Sequence, residues 1–505
     1  MGIASKRPRA WDLTGDRCNV GMMEKNEIPL MPLGRASSVP TIVVILGATG
    51  DLSRKKLIPS LFDLYIRKHL PEGFRIIGFS RGMLSDEDFR NFMHKSIDAQ
   101  SVDHKQRDMD DFLGHAFYLQ GDFDDLNAYG KLSGSFLAAD KDFGRCSNKL
   151  LYLAVPPKYY ESIFQNLASA YLSSPCSDET GWTRVLVEKP FGRDIDTARS
   201  LDRMLGHLFR EEQIFRIDHY LARETLQNIL TFRFSNTIFE PVWNNNYIEK
   251  IEIRLLEKIG VEMRGAFYED IGALRDVGQN HLLQMLAIIT MDHPGPLGVD
   301  SIRRERAKII SSLIPPPVNA IKDSVVRGQY IGFTGEKDVH ADSATETYFR
   351  IKAYLDNDRW RGVPFYLESG KALKEKKTEI AVYFKEIEPC FCPGSHKERR
   401  HQNIFTFKIQ PDEGISIRFW ARQPGLGEEI ETRDFAFNYG EGSKLRTDAY
   451  ERVVYDCIQG DQTLFVSTDE VTAAWEYITS ILNNWVHTEL HKYEKGSEGP
   501  EVSLE

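Results

Sequence analysis

The chain reads as two folded parts: an α/β domain on a doubly wound parallel sheet, then an α+β domain on a large, mainly antiparallel sheet. Two observations predict this. From residue 41 to about 212, short apolar β-branched runs alternate with helical patterns five or six times, the rhythm of a parallel sheet with helices on both faces. After about residue 213, longer strand-like runs follow one another with few helices between them, which suits antiparallel pairing.

The elements follow in order. Residues 1–38 hold Gly, Pro, Lys and Arg with little periodicity and read as a flexible arm. The run 41–46 is continuously apolar and β-branched, so it reads as a buried strand. A Gly47–Gly50 turn and a helix carrying Leu57, Leu61, Leu64 and Tyr65 on one face come next. Strands at 74–79, 115–119, 150–155 and 184–188, with helical patterns from 85 and 124 and after each of the last two strands, complete a Rossmann-like domain over 39–212. The second domain, 213–494, has strands at 247–256, 347–355, 378–384, 403–410, 415–421 and 435–439. Helices at 274–289, 301–313 and 469–485 cover one face of its sheet. Residues 495–505 are polar and read as a frayed tail.

Composition narrows the class. The 505 residues are 41% apolar and 27% charged, as in an ordinary globular protein. A net charge of -10 argues against a nucleic-acid binder, which carries a basic footprint. No run approaches the ~20 apolar residues of a membrane span, and the N-terminus lacks a signal-peptide core, so a cytoplasmic protein is expected. Cysteines 18, 146, 176, 390, 392 and 457 form no disulfide or metal framework by spacing and read as reduced thiols, with no metal site expected.

The segment Gly47-Ala48-Thr49-Gly50-Asp51-Leu52 lies between a strand and a helix. Glycines there permit close approach to a pyrophosphate, and the helix start aims amide donors at it. The second strand ends at Arg81. An acid at that end suits the ribose of NAD; an arginine suits a 2′-phosphate, so NADP is favoured.

Three further segments concentrate chemistry. Glu188-Lys189-Pro190 follows a buried strand, the end of an α/β sheet where ligands bind. Arg216-Ile217-Asp218-His219-Tyr220 through Arg223 crowds acid, imidazole, phenol and guanidinium, a set able to grip phosphate through several donors. In the helix from Leu274, Val277, His281, Met285 and Ile288 share its inward stripe. An isolated inward histidine is more often a satisfied core residue, and one facing an acid is how a general base is oriented.

Together these segments, with Asp276-x-x-Gln279-Asn280-His281, Ser369-Gly370-Lys371-Ala372-Leu373, Gln410-Pro411 and Asp448-Ala449-Tyr450-Glu451-Arg452, resemble the glucose-6-phosphate dehydrogenase family over roughly residues 40–500. The resemblance implies hydride transfer from C1 of glucose 6-phosphate to NADP+, giving 6-phosphogluconolactone and NADPH, the first step of the oxidative pentose phosphate pathway. It implies His281 as general base, Asp218 as its orienting carboxylate, and Lys189 holding the C1 oxygen near the nicotinamide. His219, Tyr220, Arg223 and Lys371 are implied as phosphate ligands. Glu257, Asp276, Lys376 and Gln410 are implied around the sugar. Gly47, Thr49, Gly50, Asp51, Leu52, Arg81, Tyr160 and Lys189 are the implied cofactor contacts, and a homodimer or homotetramer is the implied assembly.

Two departures qualify the resemblance. The family's R-I-D-H-Y-L-G-K-E has Ala222 and Arg223 here, and a forked guanidinium is no neutral replacement for an ammonium at a tight site. Arg223 is therefore expected to keep the charge and lower turnover or substrate affinity. Ser416 stands where members with a second, structural NADP have a tyrosine, and the chain stops soon after Pro500 without their aromatic tail, so a second nucleotide is not expected. A related sugar oxidoreductase and a catalytically weak NADP-binding redox sensor are the rival readings.

Overall fold

Every residue of β1 (Thr41–Leu46) is buried, so this strand is covered on both faces. The computed structural model describes residues 39–504, apart from 100–104, 177–180, 296–297, 388–400, 427–428 and 440–446. The expected arm at 1–38 lies outside the described residues.

β2 (Phe74–Ser80), β3 (Ala116–Gln120), β4 (Asn148–Leu153), β5 (Thr183–Val187) and β6 (Ile214–Ile217) join β1 in parallel register. Helices link them because parallel neighbours need a crossover. One of these, Ile195–Leu208, begins on an Asp194–Thr197 capping box.

The second sheet contains β7 (Ile248–Leu256), β8 (Val325–Tyr330), β9 (Tyr348–Ala353), β10 (Phe365–Gly370), β11 (Lys377–Phe384), β12 (Ile404–Gln410), β13 (Gly414–Arg422) and β14 (Ile430–Asn438). Two late strands then return one to each sheet. β15 (Phe465–Val466) pairs antiparallel with β6, and β16 (Leu490–Tyr493) pairs parallel with β8. The first sheet therefore runs β15-β6-β5-β4-β1-β2-β3, and the second β14-β13-β12-β11-β7-β10-β9-β8-β16. The second is mixed rather than purely antiparallel, since β10 also lies parallel to β7.

In the first sheet the order reverses between β1 and β4, where such sheets bind ligands at the carboxyl ends of the strands. Gly47 sits at this switch point with φ +89°, and a Cβ there would lie 2.4 Å from the Ala154 carbonyl oxygen. Only glycine fits the conformation and the gap.

Helix Thr468–Asn483 packs on helices Ile195–Leu208 and Val299–Ser311. Its Glu470 and Arg306 form an almost fully buried ion pair at 2.8 Å, and Arg306 also donates to the Thr463 and Phe465 carbonyls. The helix expected at 274–289 is wound in two ways. Leu274–Leu282 takes the wider π winding and Leu283–Thr290 the α winding, a distortion common at functional sites.

Two expectations are corrected. Cys146 and Cys176 form a disulfide, because adjacent β4 and β5 bring the turn before one strand beside the loop before the other. Asp140 would complete a metal-ligand trio with these sulfurs, but they are bonded to each other and the Lys149 ammonium lies 2.9 Å from its carboxylate. Cys457 is a buried free thiol, and Cys18, Cys390 and Cys392 lie outside the described residues. Residues 495–504 are not frayed: Gly496 N–H donates to the Ala372 carbonyl, Lys374 N–H donates to that of Ser497, and Leu504 is buried. Glycine and proline turns fold this segment onto the second sheet, which a polar composition does not reveal.

Candidate active site

The carboxyl ends of β5 and β6 each deliver one cluster. Beyond β5, Lys189 donates to the Asp276 carbonyl at 2.7 Å and its carboxylate at 2.9 Å. Tyr152 donates to the Glu188 carboxylate at 2.6 Å, and burial pushes that carboxyl up to about 7. Beyond β6, the Asp218 carboxylate accepts from the Tyr220 backbone N–H at 3.0 Å and lies 2.6 Å from His281 Nδ1.

Asp218 and His281 are both about 98% buried or more, so the pair is shielded from water. Burial opposes charge on Asp218, but the His281 imidazole and its hydrogen bond outweigh it and hold the carboxyl below its usual range. Burial lowers His281, and the Lys189 ammonium adds to this. The imidazole is therefore neutral near pH 7. A carboxylate acceptor at Nδ1 assigns the proton to that nitrogen and leaves Nε2 as the proton acceptor. Asp218 Oδ2 is buried without a hydrogen-bond partner among the described residues.

The remaining candidates surround this dyad. The His219 and Tyr220 rings lie 4.7 and 4.4 Å from the His281 ring, centroid to centroid. Burial and the neighbouring His281 hold His219 well below the usual imidazole range, and burial pushes the Tyr220 phenol up to about 12. Tyr220 donates weakly to Gln410 Oε1 at 3.5 Å. Lys371 donates to Glu257 and lies 4.0 Å from Asp276. Burial would raise Asp276, yet Lys189 and Lys371 hold its carboxyl well below the usual range. Arg223 reaches Glu413 at 3.6 Å, and its Nε is buried without a partner among the described residues. Lys376 is exposed, apart from this set of contacts.

At the β1–β4 switch point, Thr49 donates to Ser80 Oγ at 3.2 Å and Ser53 to the Gly47 carbonyl at 3.0 Å, tying the Gly47–Gly50 turn to its neighbours. Leu52 anchors the turn in the core, and Asp51 is exposed and paired with Arg54 and Lys55. Arg81 is exposed, has no carboxylate partner among the described residues, and lies 5.7 Å from the Tyr159 ring centroid. An unpaired guanidinium beside an aromatic face fits a phosphorylated nucleotide. Tyr160, expected at the cofactor, is instead buried and donates to the Glu188 carbonyl at 2.9 Å. Helical geometry turns it inward and leaves Tyr159 beside Arg81.

Sequence reasoning missed four groups. Tyr450 stacks on His219 at 5.9 Å, and its own motif was the available signal. Glu413, Tyr152 and Tyr268 carry no local signal, because only the fold brings them to the cluster. Tyr268 lies under Lys371, whose ammonium is 5.3 Å from its ring centroid. A surface cavity of about 690 Å³ lined by Arg233, His293 and Arg359 shares no residue with this cluster. Its guanidiniums are bonded to Glu240, Asp292 and main-chain carbonyls, so it is not the reaction site.

Known proteins share the fold and much of the sequence of this chain. Residues 44–228 match the family model described as glucose-6-phosphate dehydrogenase, NAD binding domain, and residues 230–505 match its C-terminal domain. The chain is 39% identical over 469 residues to a glucose-6-phosphate 1-dehydrogenase of Borreliella burgdorferi, covering 91% of this chain and 95% of that one. It is 40% identical over 472 residues to the enzyme of that name from Aggregatibacter actinomycetemcomitans, covering 91% and 94%. A solved glucose-6-phosphate dehydrogenase in complex with glucose 6-phosphate superposes with TM-score 0.84 at 32% identity, over 92% of this chain and 97% of that one. A levoglucosan dehydrogenase at 10% identity and TM-score 0.51 shares the fold alone. With both domain models matched and the alignments spanning nearly the whole chain, the protein belongs to the glucose-6-phosphate dehydrogenase family.

Proposed function

We propose that this chain oxidises glucose 6-phosphate at C1 with NADP+, yielding 6-phospho-D-glucono-1,5-lactone and NADPH, the opening step of the oxidative pentose phosphate pathway. The observation that carries it is the buried Asp218–His281 dyad, with His219 and Tyr220 on the same turn as the acid. His281 Nε2 takes the proton from the C1 hydroxyl. Asp218 holds the tautomer and stabilises the imidazolium as it forms. Bound NADP+ supplies the hydride acceptor. Lys189, aimed by Asp276, places its charge beside the C1 oxygen. His219, Tyr220, Arg223 and Lys371 take the phosphate, Glu257, Asp276 and Gln410 the sugar hydroxyls, and Lys376 the rim.

The test is NADP+ reduction with glucose 6-phosphate, run beside NAD+ and beside unphosphorylated glucose. Reduction only with NADP+ and the phosphosugar supports the reading; no binding of the phosphosugar overturns it. Gly47, Thr49, Gly50, Asp51, Leu52 and Arg81 form the nucleotide site. Arg81→Ala raises KM for NADP+ about 10- to 100-fold, the value of a charge-assisted hydrogen bond, and leaves KM for NAD+ unchanged. Equal changes for both cofactors in initial-rate kinetics would remove Arg81 from the 2′-phosphate.

Arg223 lowers efficiency because its fork, though partly exposed, leaves a buried Nε without a partner among the described residues. Arg223→Lys raises kcat/KM for glucose 6-phosphate about tenfold, near the cost of one orphaned donor. An unchanged or lower value refutes this account. A homodimer or homotetramer is supported by exposed Phe435 and Phe437 on the edge strand β14. We place the protein in the cytoplasm; no helix among the described residues is long and apolar enough to cross a membrane.

A further inference from the structure

The loop that carries Lys371 adopts a backbone its sequence does not favour. Ala372 has φ +54°, in the left-handed region where a side chain is disfavoured. Residues that flank β7 and β9 supply three bonds that hold it. Lys371 N–H donates to Thr347 O, Ala372 N–H to Ile259 O, and Leu373 N–H to Glu257 O, at 2.9 to 3.0 Å.

The rest of the grip comes from the C-terminal segment. Tyr493 closes β16, is 3% exposed, and donates its hydroxyl to the Lys371 carbonyl at 2.7 Å. The same hydroxyl lies 2.9 Å from Thr347 Oγ1. Gly496 N–H donates to the Ala372 carbonyl at 2.8 Å, and Lys374 N–H donates to the Ser497 carbonyl at 2.8 Å. Backbone groups of 371, 372 and 374 are thus each bonded to one short stretch of tail.

That stretch is itself locked in place. Gly496 has φ +82° and Gly499 φ +105°. A Cβ on Gly499 would lie 2.8 Å from the Tyr348 ring, and one on Gly328 would lie 2.7 Å from Pro500. Both sites therefore admit only glycine, so that tail and sheet meet closely. On the other side of the loop, the Lys371 ammonium meets Glu257 and the Tyr268 ring inside the site.

We infer that residues 493–500 are a strap that positions Lys371, with Tyr493 and Gly496 as positioning residues that set affinity for the phosphosugar. Among the described residues, no strap side chain bonds to the Asp218–His281 dyad; the strap acts by fixing the backbone from which Lys371 reaches the substrate. This rests on the proposed role of Lys371.

The test uses the full-length chain with Tyr493→Phe, Gly496→Ala and, as control, Glu498→Gln, which removes only the exposed Lys374–Glu498 pair. The first two raise KM for glucose 6-phosphate by up to about tenfold, the usual worth of one buried hydrogen bond. KM for NADP+ stays at the wild-type value, and amide exchange speeds up at Ala372 and Leu373. The control changes neither. Faster exchange with unchanged KM for the phosphosugar overturns the positioning role. A parallel rise in both KM values with a lowered melting temperature does so too, since it marks general loosening. Unchanged exchange at Ala372 and Leu373 overturns the strap itself, whatever the substrate; wild-type protein that binds no glucose 6-phosphate overturns the functional reading instead.

Discussion

His281→Gln lowers kcat for glucose 6-phosphate oxidation by about 10³- to 10⁴-fold, the upper range for loss of a positioned general base. The amide keeps the size and can still bond Asp218, so folding survives while no group remains to take the C1 proton. Asp218→Asn gives a comparable loss by another route. An amide at that position no longer assigns the proton to Nδ1, and the forming imidazolium loses its 2.6 Å carboxylate. KM for the phosphosugar changes little in either variant, because the proposed phosphate ligands His219, Tyr220, Arg223 and Lys371 are untouched. The pH profile of the wild type carries the same signature. Burial lowers His281 below the ordinary 6.5, so the base stays neutral at pH 7 and kcat/KM is lost only as pH falls below about 6.5. Steady-state kinetics across pH on the three proteins check this. Residual kcat within tenfold of wild type in His281→Gln would remove the base from the mechanism.

Glu470→Ala costs about 3–5 kcal/mol of stability. The carboxylate is wholly buried and holds Arg306 through two bonds, at 2.8 and 3.3 Å. Removing it leaves the Arg306 guanidinium desolvated with only the Thr463 and Phe465 carbonyls. It also removes the box that caps helix Thr468–Asn483. The exposed pair of Glu476, on the same helix, with Arg199 of helix Ile195–Leu208 is the comparison, since solvent screens it. Urea unfolding distinguishes them: a large midpoint shift for Glu470→Ala and a shift near zero for Glu476→Ala. Equal shifts would mean that burial of the Arg306 pair carries no special weight. The double change Arg306→Met with Glu470→Leu should recover much of the loss, because a buried pair can be exchanged for apolar packing.

Much of the site was readable along the chain. The apolar run before Gly47 announces a buried strand because parallel strands are covered on both faces. Arg81, Lys189, the Asp218–Tyr220 turn and His281 were located from the chemistry of their residue types and from family resemblance, and the fold gathers the last three around one centre. The winding around His281 was not readable. The apolar stripe from Leu274 fits an α-helical period, yet Leu274–Leu282 is wider, because tertiary packing overrides the local pattern. Tyr160 and Tyr159 are neighbours, and a shift of one position on a helix end decides which faces the core.

Local sequence determined the periods, turns and donor types of this protein: where strands and helices form, which turn carries the glycine, and which side chains can hold phosphate or move a proton. Tertiary structure alone decided which remote segments meet. Asp218 finds His281 across 63 positions, Tyr493 finds Lys371 across 122, and Arg306 finds Glu470 across 164. Periodicity and turn chemistry act over a few residues, whereas these pairings are selected by how two sheets and their helices bury their apolar faces. The final partner of each polar group is therefore a property of the packed chain.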